Sequence, residues 1–196
     1  MKKIACLVSG GGTNLQALID ASTAGEIPNG EICLVVSSNP SAYALTRANN
    51  AGIKNVTIDK KGISNIDFDN ALCNLLLQEN IDIIVLAGFL CIIGTRVLSS
   101  FKNRIINVHP ALLPSFGGKG YYGLRVHKAA LEYGVKVTGA TVHFVSDVID
   151  GGKIIMQKAV DVYPDDTAEI LQKRVMQEAE WIILPKALEL ICKENL

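Results

Sequence analysis

The sequence predicts an α/β protein built on a doubly wound, mostly parallel sheet with an antiparallel pair near the C-terminus. Three observations predict it. Short β-branched runs alternate with stretches of helical spacing through the first half of the chain. Those runs are apolar on both faces, as strands covered by helices on either side must be. Late in the chain two long β-rich runs follow one another across a turn too short for a parallel crossover, so they should pair antiparallel.

The elements follow in order. Residues 4–8 read as a buried strand and 13–24 as a helix, with Leu15, Leu18 and Ile19 at helical spacing. A second strand spans 32–37, and a helix over 42–51 stops at Gly52. A short strand at 56–58, a helix over 68–79 and a strand over 81–87 come next. A short helix at 97–101 leads to a strand at 104–108 that Pro110 brings to an end. Residues 111–122 form a loop rich in glycine and proline, and 124–132 a helix. The late strands span 136–145 and 153–162, separated by the turn 147–152. A final helix is expected over 167–191, capped by Asp165 or Asp166 and bent by Pro185.

At 196 residues the chain suits one domain, 1–196, with halves at 1–103 and 104–196. Hydrophobic residues make up 49% and charged residues 19%, and Lys plus Arg equal Asp plus Glu at 19 each. That balance lacks the basic excess of a nucleic-acid surface, so no nucleic-acid partner is expected. After the first residues only a short apolar stretch precedes Ser9, too short for a signal peptide or a membrane span, and a cytoplasmic location is expected. The five cysteines are scattered without a C-x-x-C pair, which predicts neither disulfides nor a zinc site. No H-x-x-x-H spacing points to any other metal.

Three places could carry chemistry. Ser9-Gly10-Gly11-Gly12-Thr13-Asn14 lies between the first strand and the first helix, where such sheets bind ligands. A dinucleotide loop would want a third glycine where Leu15 stands, and an acid where Ser37, Ser38 and Asn39 end the second strand. A Walker loop would want the missing G-K-[ST]. A single phosphate on the helix N-terminus remains, as does a tight turn that holds no ligand. Asn107 and His109 are two apart at a strand end, so they project to one side as an amide donor and an imidazole. Such a pair can stabilise an oxyanion and shuttle a proton, or simply pack. Asp147 and Asp150 lie in a turn that favours aspartate and glycine for backbone reasons, yet a carboxylate there could also orient His109. His143, alternating with Val142 and Phe144 in a strand, and His127, in a helix, read as structural. With no G-x-S-x-G elbow and no cysteine beside a histidine, covalent catalysis has little support.

Three segments in this order resemble one family: S-G-G-G-T-N-L-Q at 9–16, N-V-H-P-A-L-L-P-S-F at 107–116, and G-A-T-V-H-F-V-S-D-V-I-D-G-G at 139–152. The chain is similar over essentially its whole length to the phosphoribosylglycinamide formyltransferases, within the folate-dependent formyltransferase superfamily. N-x-H-P alone marks the superfamily; the glycine-rich start and the D-G-G turn mark the branch. The resemblance implies a Rossmann-like formyltransferase fold, with phosphate binding in the first half and folate binding and catalysis in the second. It implies formyl transfer from the cosubstrate 10-formyltetrahydrofolate to the amine of glycinamide ribonucleotide in purine biosynthesis, by direct attack through a tetrahedral intermediate. Hydrolysis of formyl-folate and a non-catalytic folate- or nucleotide-binding module are the alternatives.

Carried over residue by residue, the resemblance makes Asn107, His109 and Asp150 the catalytic set. Gly11, Gly12, Thr13 and Asn14 would bind the ribonucleotide together with Pro110, Gln177 and Glu180, the last two sharing a helix face. The pterin would lie along Gly88, Phe89, Leu90 and Ile93, beside Val145, Asp147 and Asn107. The implied partners are small molecules, with no metal and no membrane, on a monomer or weak homodimer. Trp181 stands where many relatives carry histidine, and Cys91 where some carry a basic residue.

Overall fold

A computed structural model describes residues 1–194. Seven strands are hydrogen-bonded in the order β3-β2-β1-β4-β5-β6-β7. By chain contacts the protein divides into two compact units, Met1–Ile106 with the stretch from Leu188, and Asn107–Ala187.

The first unit is the doubly wound part. Strand β1 (Lys2–Val8) is buried from Ile4 onward and pairs in parallel with β2 (Gly30–Ser37) and with β4 (Ile83–Leu86). Ile4 is in register with Ile32 on one side and Ile83 on the other, so the strand centre is apolar on every face. Edge strand β3 (Lys54–Thr57) is short and carries Lys54, paired with Glu79 at 2.7 Å, features that discourage further strand pairing. Helices α1 (Thr13–Thr23), α2 (Tyr43–Asn50), α3 (Asn65–Gln78) and α4 (Thr95–Ser100) connect the strands. Ser64 caps α3, accepting from Asp67 N and donating to its carboxylate. The buried Asp69 of α3 accepts from Arg96 N at 2.9 Å and so satisfies the start of α4.

Strand order reverses between β1 and β4, and ligands of such sheets bind beyond the strand ends at that point. Ser9 knits these ends together. Its N–H donates to Gly88 O, and its hydroxyl accepts from Leu90 N and bonds the Ser38 hydroxyl at 2.7 Å. The loops after β1, β2 and β4 are therefore held by one side chain.

Strand β5 (Ile105–His109) leads into the second unit, which contains α5 (Leu124–Tyr133), β6 (Val137–Phe144) and β7 (Ile154–Asp161). Strands β6 and β7 pair antiparallel, as expected, with a register slip between Val142 and His143. The expected single late helix is three segments: α6 (Ala168–Val175), a π-helical turn (Met176–Glu180) and α7 (Trp181–Lys193), with Pro185 inside the last.

Two expectations are corrected here. The cap of α6 is Thr167, whose hydroxyl accepts from Ile170 N at 3.3 Å, and not Asp165 or Asp166. Asp166 is committed elsewhere: its carboxylate takes both guanidinium arms of Arg174, at 2.5 and 2.6 Å, and the Tyr163 N–H. Gln177 and Glu180 are not on an α-helical turn, so α-helical i, i+3 spacing does not relate them. They lie in the wider π-helical turn, where Gln177 is exposed and Glu180 is 6% exposed.

Candidate active site

In the first unit the glycine turn is shaped by α2. Gly12 sits at φ 72, and a Cβ there would lie 2.6 Å from the Ala44 Cβ, so only glycine fits. The turn's carbonyls are all engaged: Gly10 O by Ala44 N, Gly11 O by Arg47 Nε at 2.9 Å, and Gly12 O by Gln16 N. With its acceptors spent, the turn has donors to offer, the N–H groups of the first turn of α1. Thr13 opens that helix half-buried, and Asn14 is buried behind it. The loop after β4 places Gly88 at φ 77 and leaves Leu90 67% exposed, while Phe89 stacks near Phe68 and Ile93 is buried.

In the second unit the strand end and the late turn converge. His109 is 4% exposed, and its Nδ1 faces Asp150 Oδ2 at 3.5 Å. Its Nε2–H donates to the Phe116 carbonyl at 2.8 Å, since a carbonyl oxygen can only accept. Asp150 Oδ2 also accepts from Gly118 N at 2.8 Å, which ties the glycine-rich loop to the turn. Asp150 itself holds a left-handed backbone, φ 54, a conformation aspartate tolerates better than most residues. Asp150 and His109 thus stand together, with Asn107 two residues before His109 on β5, and Val145 and Asp147 lie at the start of the same turn. Pro110 is half-buried directly after His109.

His143 belongs to this cluster, although the strand pattern pointed to packing. Its Nε2 lies 3.1 Å from Asn107 Nδ2 and 3.7 Å from Asp150 Oδ1. Burial pushes its pKa below the ordinary value; the Phe144 carbonyl and the Asp150 carboxylate oppose that shift, and nearby His109 adds to it. A signal was present, because Thr141 and His143 alternate on one face of β6. Missing from the sequence was the partner strand that brings this face to Asn107. Thr141 serves the site indirectly. Its hydroxyl donates to Ala111 O at 2.7 Å and accepts from Leu113 N and Gln157 Nε2, pinning the segment after His109. His127 is fully buried with neither ring nitrogen bonded, and burial, reinforced by His109, pushes its pKa down to about 4.

Chemically, the second-unit cluster holds an amide donor, two imidazoles and a carboxylate within reach of one another. That set can stabilise a developing oxyanion and move a proton. Among the described residues no group of three His, Cys, Asp or Glu is placed to hold a metal ion, and all five cysteines are free. Among the same residues no helix is long and apolar enough to cross a membrane.

Comparison with known proteins adds to this geometry. The formyl transferase family profile matches residues 2–188. A phosphoribosylglycinamide formyltransferase of Haemophilus influenzae is 41% identical over 94% of this chain and 84% of its own length. A chloroplastic phosphoribosylglycinamide formyltransferase of Vigna unguiculata is 37% identical over 100% of the chain, which spans 62% of that relative. The crystal structure of glycinamide ribonucleotide transformylase 1 from Symbiobacterium toebii superposes with a TM-score of 0.92 at 42% identity, covering 98% of this chain and 88% of that one.

Proposed function

We propose that this chain, which belongs to the formyl transferase family, transfers a formyl group from 10-formyltetrahydrofolate to the amine of glycinamide ribonucleotide. The observation that carries the reading is the cluster of Asn107, His109 and Asp150, in which His109 is buried and its Nδ1 lies 3.5 Å from the Asp150 carboxylate. Acyl transfer to an amine needs a donor where the carbonyl oxygen gains charge and a group that takes the proton the nitrogen loses. Asn107 supplies an amide N–H for the first task. His109, as an imidazolium with its ring held between the Phe116 carbonyl and Asp150, adds charge stabilisation. Asp150 orients His109 and helps move the proton from the attacking nitrogen toward the leaving nitrogen.

In the first unit, Gly11, Gly12, Thr13 and Asn14 take the ribonucleotide's phosphate, where helix N–H groups and the helix dipole favour an anion. The family resemblance assigns Glu180, Gln177 and Pro110 to the rest of the ribonucleotide. When bound, the formyl-folate supplies the acyl carbon and a leaving nitrogen. The stretch after β4 suits an apolar ring: residues 88–93 carry no charged side chain, and Leu90 is exposed. Gly88, Phe89, Leu90 and Ile93 are assigned to it, and the family resemblance adds Val145, Asp147 and Asn107.

The test is absorbance at the folate-product band with protein and 10-formyltetrahydrofolate, in the presence and absence of glycinamide ribonucleotide. Product formed only with the ribonucleotide is the expected result. Product formed equally without it overturns transfer in favour of hydrolysis, and no product in either case leaves only a binding module.

A further inference from the structure

The histidine that the strand pattern marked as packing sits where it can set the direction of an amide. His143 Nδ1 lies 2.9 Å from the Phe144 carbonyl oxygen, and a carbonyl only accepts, so Nδ1 carries the hydrogen. In the neutral ring Nε2 is then a bare lone pair. Asn107 Nδ2 stands 3.1 Å from it and donates to it. Turned over, the amide would set its oxygen against that lone pair, two acceptors face to face. One tautomer of one ring therefore selects one orientation of Asn107.

We propose that His143 is a positioning residue: its Nδ1–H tautomer, held by the Phe144 carbonyl, anchors one amide hydrogen of Asn107 and leaves the other free to donate to substrate. The local fold supports the arrangement. The register slip opposite Val142 and His143 leaves its extra residue, Ile155, on β7, so β6 runs on unbroken and His143 keeps its alternation with Thr141. Gly152 lies against the same Phe144 carbonyl, where a Cβ would collide with the oxygen that holds the ring. The role rests on reading Asn107 as the donor to the reacting carbonyl.

Protonation would break the arrangement. An added Nε2–H would confront the Asn107 amino group and turn toward Asp150 Oδ1, 3.7 Å away. The groups facing the ring are Asn107 and His109 from β5, Asp150 from the turn, and the Phe144 carbonyl of its own strand. Across the ladder on β7 stands the uncharged Ile154. His143 is held below its ordinary pKa chiefly by burial, so the neutral tautomer persists to below pH ~6.5, and Asn107 is released only as pH falls further.

The chain has only 3 histidines, which makes nitrogen NMR of the imidazoles tractable on the whole protein without substrate. The expected signature for His143 is a protonated Nδ1 and a bare Nε2 at pH 7.5, changing to the doubly protonated ring only below pH ~6.5. His143→Phe keeps a planar aromatic ring, somewhat larger than the imidazole, and removes the acceptor. It is expected to lower kcat up to ~100-fold, the scale of a misplaced catalytic group, and to leave the KM for ribonucleotide unchanged. His143→Gln, whose amide oxygen can accept from Asn107, is expected to recover part of that loss. An Nε2–H tautomer in the wild-type protein, or wild-type kcat in His143→Phe, would overturn the proposal. If the wild-type protein transfers no formyl group, the functional reading fails by itself, and the nitrogen spectrum still decides the bond between His143 and Asn107.

Discussion

Asn107 and Gly12 make opposite demands on a substitution, and the contrast separates chemistry from binding. Asn107 contributes a donor where charge develops, and losing one such donor typically costs ~3–4 kcal/mol of barrier. Asn107→Ala is therefore expected to lower kcat at least ~100-fold while ribonucleotide still binds. Gly12→Ala should do the reverse. Its Cβ would press on Ala44 at 2.6 Å from a backbone at φ 72, displacing α2 from the phosphate turn. The cost is about 1–3 kcal/mol in urea unfolding, together with weaker ribonucleotide binding by calorimetry. Near-wild-type turnover in Asn107→Ala, or undiminished binding in Gly12→Ala, would sink the corresponding assignment. At this scale the sequence was informative wherever the constraint is local. Asn107 and His109 share a side because strands alternate, and Pro110 marks the strand end. His143 obeys the same alternation, but its meaning depends on Asn107, a residue distant in the chain. No local pattern carries that information.

Among the elements, the late helix diverged most from its sequence pattern, and the cause is a competition for one carboxylate. Asp165, Asp166 and Thr167 are all residues that cap helices. Arg174 decides among them by claiming Asp166 with both arms of its guanidinium, over the Tyr163 ring at 4.3 Å, which leaves the cap to Thr167. The pair has a pH signature. The Arg174 hydrogen bonds first, then the Tyr163 N–H and the guanidinium charge, hold the Asp166 carboxyl below the usual carboxylate range against the opposing effect of burial. A carboxyl whose folded pKa is depressed adds stability above its unfolded pKa and loses it as pH falls through the folded one. Asp166→Asn should thus cost about 1–2 kcal/mol at pH 7, in line with hydrogen bonds to charged groups. The gap between variant and wild type should close below pH ~4, read as urea midpoints across a pH series. A gap that stays constant to pH ~2.5 would show that the carboxylate charge contributes nothing there. The π-helical turn at Met176–Glu180 has no equally plain signal, since helical spacing and π spacing differ by one residue per hydrogen bond. Within this turn Glu180 is buried and Gln177 exposed, the two residues proposed for one ligand.

For the whole molecule, the parallel part was legible because each strand of β1, β2 and β4 is an apolar run between helices, and the antiparallel pair because its turn is short. Strand order was not written in any run; it comes from which strands meet, and the reversal between β1 and β4, where such sheets bind ligands, falls beside Ser9. A ligand that binds only the folded chain must then stabilise that chain. At a ribonucleotide concentration 100 times its Kd, linkage adds ~2.7 kcal/mol. For a chain of this size each kcal/mol raises Tm by ~2–4 °C, so saturating glycinamide ribonucleotide should raise Tm by roughly 5–10 °C. Asn107→Ala should keep that shift, because its donor is used in the reaction, whereas Gly12→Ala should lose most of it. The same concentration of inorganic phosphate should give a much smaller shift, since it lacks the ribose and amine contacts assigned to Glu180 and Gln177. A phosphate shift as large as the ribonucleotide's would mean that the phosphate turn alone does the binding and would remove Glu180 and Gln177 from the substrate site. No shift with ribonucleotide, in a protein that melts cooperatively, would overturn the ribonucleotide as substrate whatever the chemistry of the Asn107 cluster.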